Sequence, residues 1–147
     1  MKILIDADGC PVVNITIALA VQTGLECLLL CDTSHMFERE GARTITVSKG
    51  ADSVDFALVN MVSRGDIVVT QDYGLAAMCL ARGALPIRQD GLCYTDHNIG
   101  ALLHERHAAK KLRSAGVRQR AIAKRSAEDD KSFAKALEAL ISGKALA

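Results

Sequence analysis

The chain has 147 residues and a mass of 15.7 kDa; half of its residues are hydrophobic, 24% are charged, 3% are aromatic and none is Trp. That balance excludes collagen-like, coiled-coil and wholly disordered classes and requires an aliphatic core. The net charge of +1 hides a division: residues 1–98 carry 7 basic against 12 acidic residues, whereas residues 104–125 carry 8 basic residues against Glu105 alone.

In chain order, Lys2-Ile-Leu-Ile-Asp6 reads as a buried strand, since an aliphatic run without polar alternation suits a sheet covered on both faces. It does not read as a secretion signal. A helix is expected from about Pro11, with Val13, Ile17 and Ala20–Val21 on one face and Gly24 closing it. Leu25–Cys31 forms a second apolar strand, residues 34–40 a short helix, and Thr44–Val47 a third, β-branched strand. Asp52-Ser-Val-Asp55 resembles a capping box opening a helix through Met61–Val62. After the Gly65–Asp66 turn, Ile67-Val-Val-Thr70 is the clearest parallel-strand signal, and Asp72 is placed to cap a helix running to about Arg82. Leu85-Pro-Ile87 suits an edge strand, because an edge tolerates Pro. A basic helix and link occupy 99–125, and Ser126-Ala-Glu-Asp129 caps a last helix over 127–142.

Strands alternating with helices predict an α/β domain, a single mostly parallel sheet flanked by helices on both faces. No apolar run is long enough to span a bilayer. Five Cys, an odd number without a C-x-x-C pair, predict reduced thiols in a cytoplasmic protein and no structural zinc.

In an open parallel sheet, sites form beyond the carboxyl ends of the strands. Asp6 and Asp8 follow the first strand, Asp52 and Asp55 follow the third, and Asp72 follows Ile67–Val69. Converging carboxylates repel one another unless a cation compensates, and all-oxygen donors suit Mg2+ or Mn2+. The plainer alternative is helix capping, which accounts well for Asp52 alone. It accounts poorly for Asp6, a charge at the end of a buried strand. Arg106, Lys110, Lys111, Arg113, Arg118, Arg120, Lys124 and Arg125 form the basic segment, which fits either a solvated surface or a polyanion such as RNA. His104 and His107 share a helix face without a third ligand, and Cys10 has no assignable His–Asp partner. Neither G-x-G-x-x-G nor a P-loop is present.

The blocks Asp6-Ala-Asp8-Gly-Cys10-Pro11, Gly50-Ala-Asp52-Ser-Val-Asp55, Gly65-Asp66-Ile-Val-Val-Thr70-Gln-Asp72-Tyr-Gly74-Leu-Ala-Ala77 and Gly91-Leu-Cys-Tyr94-Thr-Asp-His-Asn98 resemble the YaiI/YqxD family of uncharacterised bacterial proteins. That family is similar in fold to PIN-like nuclease domains, three-layer α/β/α units whose carboxylates bind Mg2+ or Mn2+ and cut nucleic acid. The resemblance implies Asp6, Asp55 and Asp72 as an acid cluster, with Asp8, Asp52 and Thr70 beside it. A metal-dependent nuclease acting on RNA or another nucleic acid is therefore the leading expectation. Ile5-Asp6-Ala-Asp8-Gly9 also resembles the opening of haloacid-dehalogenase-type phosphatases, in which Asp6 would be the nucleophile. A non-catalytic nucleic-acid or partner-binding module is the third reading, and self-association is left open.

Overall fold

The computed structural model describes residues 1–32, 38–50, 52–117 and 124–143. Its strands are β1 (Lys2–Asp6), β2 (Glu26–Asp32), β3 (Arg43–Val47), β4 (Ile67–Val69) and β5 (Leu85–Ile87). Its helices are α1 (Val13–Thr23), α2 (Ser53–Met61), α3 (Tyr73–Ala81), α4 (Ile99–Ser114) and α5 (Ala127–Ser142). The five strands pair in parallel in the order β3-β2-β1-β4-β5.

The continuous aliphatic runs are explained by this layering. Along β1, Ile3 and Ile5 face a cluster shared with α1 and α5, while Leu4 faces the opposite cluster shared with α2 and α3. Cys27, Leu29 and Cys31 of β2 follow Ile3 and Ile5, whereas Leu28 and Leu30 follow Leu4, as a side-chain period of two dictates. Each fully buried Leu or Ile stabilises the fold by roughly 1.5–3 kcal/mol relative to an exposed one. The result is a three-layer α/β/α arrangement. Among the described residues, no helix is long and apolar enough to cross a membrane.

Several local expectations meet the structure directly. Gly24 ends α1 in the left-handed conformation at φ 72°, and Pro86 lies in the edge strand β5. Ser126 and Asp129 form the reciprocal capping box of α5. All five cysteines are free thiols. Others are corrected. Helix α1 begins at Val13 rather than at Pro11, and residues 38–40 are not helical; 33–37 lie outside the described residues. The Asp52–Asp55 capping box does not form: Asp52 sits at φ 60°, a left-handed conformation, and its side chain makes no cap hydrogen bond.

At the amino end of the sheet, buried Asp66 holds β4 to β1. Its Oδ1 accepts from the Lys2 N–H at 3.1 Å, and its Oδ2 accepts from Lys2 Nζ at 2.7 Å and the Ser63 N–H at 2.8 Å. Burial alone would raise this carboxyl's pKa, but the Lys2 and Ser63 donors hold it below the ordinary carboxylate value. Gly91 is required for a different reason. Its φ is +93°, and a Cβ there would stand 2.6 Å from the carbonyl oxygen of Ser132 in α5. Gly91→Ala is therefore expected to cost more than about 1 kcal/mol, from the left-handed strain alone before the clash is added. A fall in the urea midpoint at unchanged slope checks this; an unmoved midpoint would mean that α5 yields freely.

Candidate functional site

The strand order reverses between β1 and β4, so the chain leaves their carboxyl ends in opposite directions and opens a crevice there. Asp6 and Asp8 enter it from β1, and Thr70, Gln71, Asp72 and Tyr73 enter it from β4 and the start of α3. Arg106 and Arg113, two turns apart on α4 and so on one helix face, complete its wall. The cleft encloses about 620 Å³.

Thr70, 2% exposed, joins the two strand ends. Its hydroxyl accepts from the Asp72 N–H at 3.0 Å and donates to Asp6 Oδ2 at 3.0 Å. Asp72 caps α3 as the sequence predicts: its Oδ1 accepts from the N–H groups of Gly74 at 2.8 Å and Leu75 at 3.1 Å. The same oxygen accepts from Arg106 Nη1 at 3.3 Å. Asp8 Oδ2 accepts from the Asp32 N–H at 3.3 Å, and Gln71 Nε2 closes the floor by donating to the Gly9 carbonyl at 3.0 Å.

Asp52 and Asp55 line an adjoining groove of about 420 Å³, which shares Asp72 and Arg106 with the main cleft and is bordered by Phe56 and Met78. The five predicted acids therefore occupy two connected compartments with the Asp72–Arg106 pair between them. They still act on one another. Burial pushes the Asp6 carboxyl up to about 6 against the pull of the Thr70 hydroxyl, with Asp55, Asp72 and Asp8 adding repulsion. Burial also pushes Asp55 up to about 6, helped by Asp72 and Asp52 and opposed by Arg106.

The donors here are oxygen atoms, which suit a hard divalent cation. Among the described residues, no three His, Cys, Asp or Glu side chains converge as a ready-made metal cage. The donor set fits an ion of the Mg2+ type, which commonly takes one or two carboxylates and completes its shell with water and substrate oxygens. Since Asp72 Oδ1 is engaged by its helix and by Arg106, Oδ2 is the atom left for such a role.

The basic segment divides. Arg106 and Arg113 face the cleft, and Lys110 and Lys111 are exposed on α4. Lys124 is exposed, and Arg125 is held by Asp130 Oδ1 at 2.7 and 2.9 Å. Arg118 and Arg120 lie outside the described residues. His104 and His107 are exposed and belong to no such cluster, and burial pushes the Cys10 thiol up to about 11, which makes it a poor nucleophile. The structure adds residues that the sequence did not single out: Gln71, Tyr73, Arg88 and Tyr94. Their sequence signal is indirect: Gln71 and Tyr73 flank Asp72 and Tyr94 falls in the Gly91–Asn98 block, whereas Arg88 lies in none of the blocks.

Because the pKa values of Asp6 and Asp55 are raised above 3.8, the folded state holds more protons than the unfolded one between about pH 4 and pH 6. Their contribution is therefore unfavourable above that window and vanishes below it. In chelator, Asp6→Asn is expected to stabilise the protein at pH 7 and to leave it unchanged near pH 4. Urea midpoints of the variant and the parent at both pH values test this. Taking the difference cancels the opposite trend from Asp66 and Asp90, whose pKa values are lowered. Equal differences at the two pH values would contradict it.

The family model described as "Uncharacterized BCR, YaiI/YqxD family" matches residues 4–143. A UPF0178 protein of Exiguobacterium sibiricum is 52% identical over 144 residues, covering 98% of this chain and 99% of its own. One of Ruminiclostridium cellulolyticum is 53% identical over 137 residues, covering 93% and 90%. One of Clostridium acetobutylicum is 47% identical over 143 residues, covering 96% and 97%. No solved structure matches the chain.

Proposed function

The chain belongs to the uncharacterised YaiI/YqxD family, and from its own cleft we propose a metal-dependent phosphodiesterase that hydrolyses nucleic acid, RNA foremost. One observation carries this reading. Carboxylates from the ends of two adjacent strands and two guanidinium groups of one helix line the same crevice, which is the pairing a metal-assisted phosphoryl site needs.

Asp6 and Asp72 are the residues that would hold Mg2+ or Mn2+, with Asp8 beside them and Asp55 and Asp52 in the adjoining groove. When bound, such an ion polarises a phosphodiester and lowers the pKa of a water molecule. The protein's own groups do the rest. The Thr70 hydroxyl fixes the rotamer of Asp6 by donating to Oδ2, while the α3 N-terminus fixes Asp72. Arg106 and Arg113 bind phosphate oxygens, for which the planar guanidinium is well shaped, and Lys110 and Lys111 extend the positive charge along α4. Arg106 also relieves the mutual repulsion of Asp55 and Asp72 before a substrate arrives.

The phosphatase reading loses support from the placement of Asp66. That reading needs a Gly-Asp acid motif following a strand and so beside Asp6, whereas Gly65–Asp66 precedes β4 and lies at the amino end of the sheet, paired with Lys2.

Asp6→Asn is expected to abolish Mn2+-dependent cleavage of a short RNA while leaving the far-ultraviolet circular dichroism unchanged. Arg106→Ala is expected to weaken RNA binding in chelator and to reduce its salt dependence by about one unit of log–log slope. Undiminished cleavage by the Asn variant would overturn the assignment of the site. RNA binding with no metal effect and no turnover would favour a non-catalytic module.

A further inference from the structure

The chain has only two tyrosines; Tyr73 lines this crevice, and buried Tyr94 packs against it from behind. Tyr73, the first residue of α3 and half-buried, lines the same cleft as Asp6, Asp72 and Arg106. Its neighbours hold it in orientation. Its ring meets that of buried Tyr94 edge-on, with centroids 5.8 Å apart and planes at 65°. Its hydroxyl oxygen accepts from Arg88 Nη1 at 3.0 Å, and Arg88 is clamped by Asp90 through two bonds of 2.9 and 2.7 Å. Tyr94 in turn donates its hydroxyl to the Thr70 carbonyl at 3.0 Å. The aromatic pair is thus tied to the same residue that orients Asp6. Helix capping does not need an aromatic ring there, because Asp72 provides the cap.

We propose that Tyr73 is a base-stacking residue for the nucleotide beside the reacting phosphodiester, so that the substrate is single-stranded nucleic acid. The proposal rests on the phosphodiesterase reading and adds the form of the substrate to it. Every base offers a π-face, so a ring fixed in advance gains stacking energy without demanding a sequence. A paired and stacked base cannot offer that face, and a duplex has to be opened first. The shape of the surface favours a strand over a lone nucleotide. Beyond Gly9 and Gln71 the cleft continues into a second groove of about 340 Å³ bordered by Gln89 and Arg125, and beyond Asp72 and Arg106 into the groove of Asp55. Backbone contact to Arg106 and Arg113 supplies affinity common to all sequences, and Tyr73 distinguishes an exposed base from none.

Binding in chelator separates the two claims, since no turnover is needed. The probes are a hexameric single-stranded RNA, an abasic ribose-phosphate chain of equal length, and an RNA duplex. The proteins are the parent, Tyr73→Leu, which keeps apolar bulk against Tyr94, and Tyr73→Phe, which keeps the ring. Tyr73→Leu is expected to lose about 5- to 100-fold in affinity for the single strand, with the abasic chain and the duplex unaffected and with Tyr73→Phe close to the parent. With no Trp present, quenching of tyrosine fluorescence by the RNA but not by the abasic chain is the second expected sign. Equal affinity of the Leu variant and the parent for the single strand would overturn the stacking role and leave the backbone-binding reading standing. The same loss on the abasic chain would show a structural effect and overturn it as well. Failure of all three probes to bind the parent would overturn the phosphodiesterase reading itself.

Discussion

The structure depends on one electrostatic constraint: ionisable oxygens are held at the half-buried carboxyl end of β1 and β4, where water cannot fully solvate them. Burial and mutual repulsion raise Asp6 and Asp55 well above ordinary carboxylates, whereas the Arg106 guanidinium is bonded to Asp72. A fold tolerates such a cost when the surrounding elements over-determine the geometry, and here they do. The β1–β4 pairing fixes the strand ends, the Thr70 hydroxyl couples them, and the start of α3 holds Asp72. The opposite end of the same strand pair is treated differently. Asp66 is buried there with three donors from Lys2 and Ser63 and its charge is satisfied within the protein, as a purely structural carboxylate should be. The contrast between the two ends is what marks the carboxyl end as the candidate site.

Much of this arrangement is legible in the sequence because it follows from local rules. The aliphatic runs of β1, β2 and β4 require a sheet covered on both faces, and alternation of strands with helices requires parallel crossovers. Acids that follow strands therefore collect at one end, and Asp72 reads as a helix cap from its position alone. The box at Ser126 is equally local. Asp52 shows where such rules stop. Its D-x-x-D spacing is that of a cap, but the backbone enters α2 through a left-handed residue, and the side chain makes no cap hydrogen bond. The spacing of residues carries no record of that backbone choice.

The remaining site residues were hidden for a different reason, since their roles arise from contacts across long stretches of chain. Gln71 meets the Gly9 carbonyl across 62 positions, and Thr70 meets Asp6 across 64. The ring of Tyr73 is fixed by Arg88, which lies in no motif, and by Tyr94, whose Gly91–Asn98 block carries no sign of that contact. Aromatic content of 3% speaks against a broad stacking surface, but composition is silent about position, and the two tyrosines pack together with Tyr73 at the cleft and Tyr94 buried behind it.

Helix α4 shows what the cleft requires of its neighbours. None of its residues is buried, and among the described residues its main packing partner is α3, so core packing contributes little to holding it. A helix of 16 residues is marginal alone in water, and an exposed ion pair such as Arg106–Asp72 stabilises by only about 0–1 kcal/mol. The residues that fasten it lie at its start, where Thr95 and Asn98 exchange hydrogen bonds and Asn98 Nδ2 reaches the Cys93 carbonyl. Stability alone therefore does not explain why Arg106 and Arg113 fall on one face of this helix. The charge of the cleft does: a face of guanidinium groups opposite crowded carboxylates lowers their repulsion, and under the proposed function it is the face that would meet a polyanion's phosphates. Because α4 is loosely held by burial, the exchange of its Asp72 contact for a phosphate that the proposed function requires would leave the core clusters around β1 undisturbed.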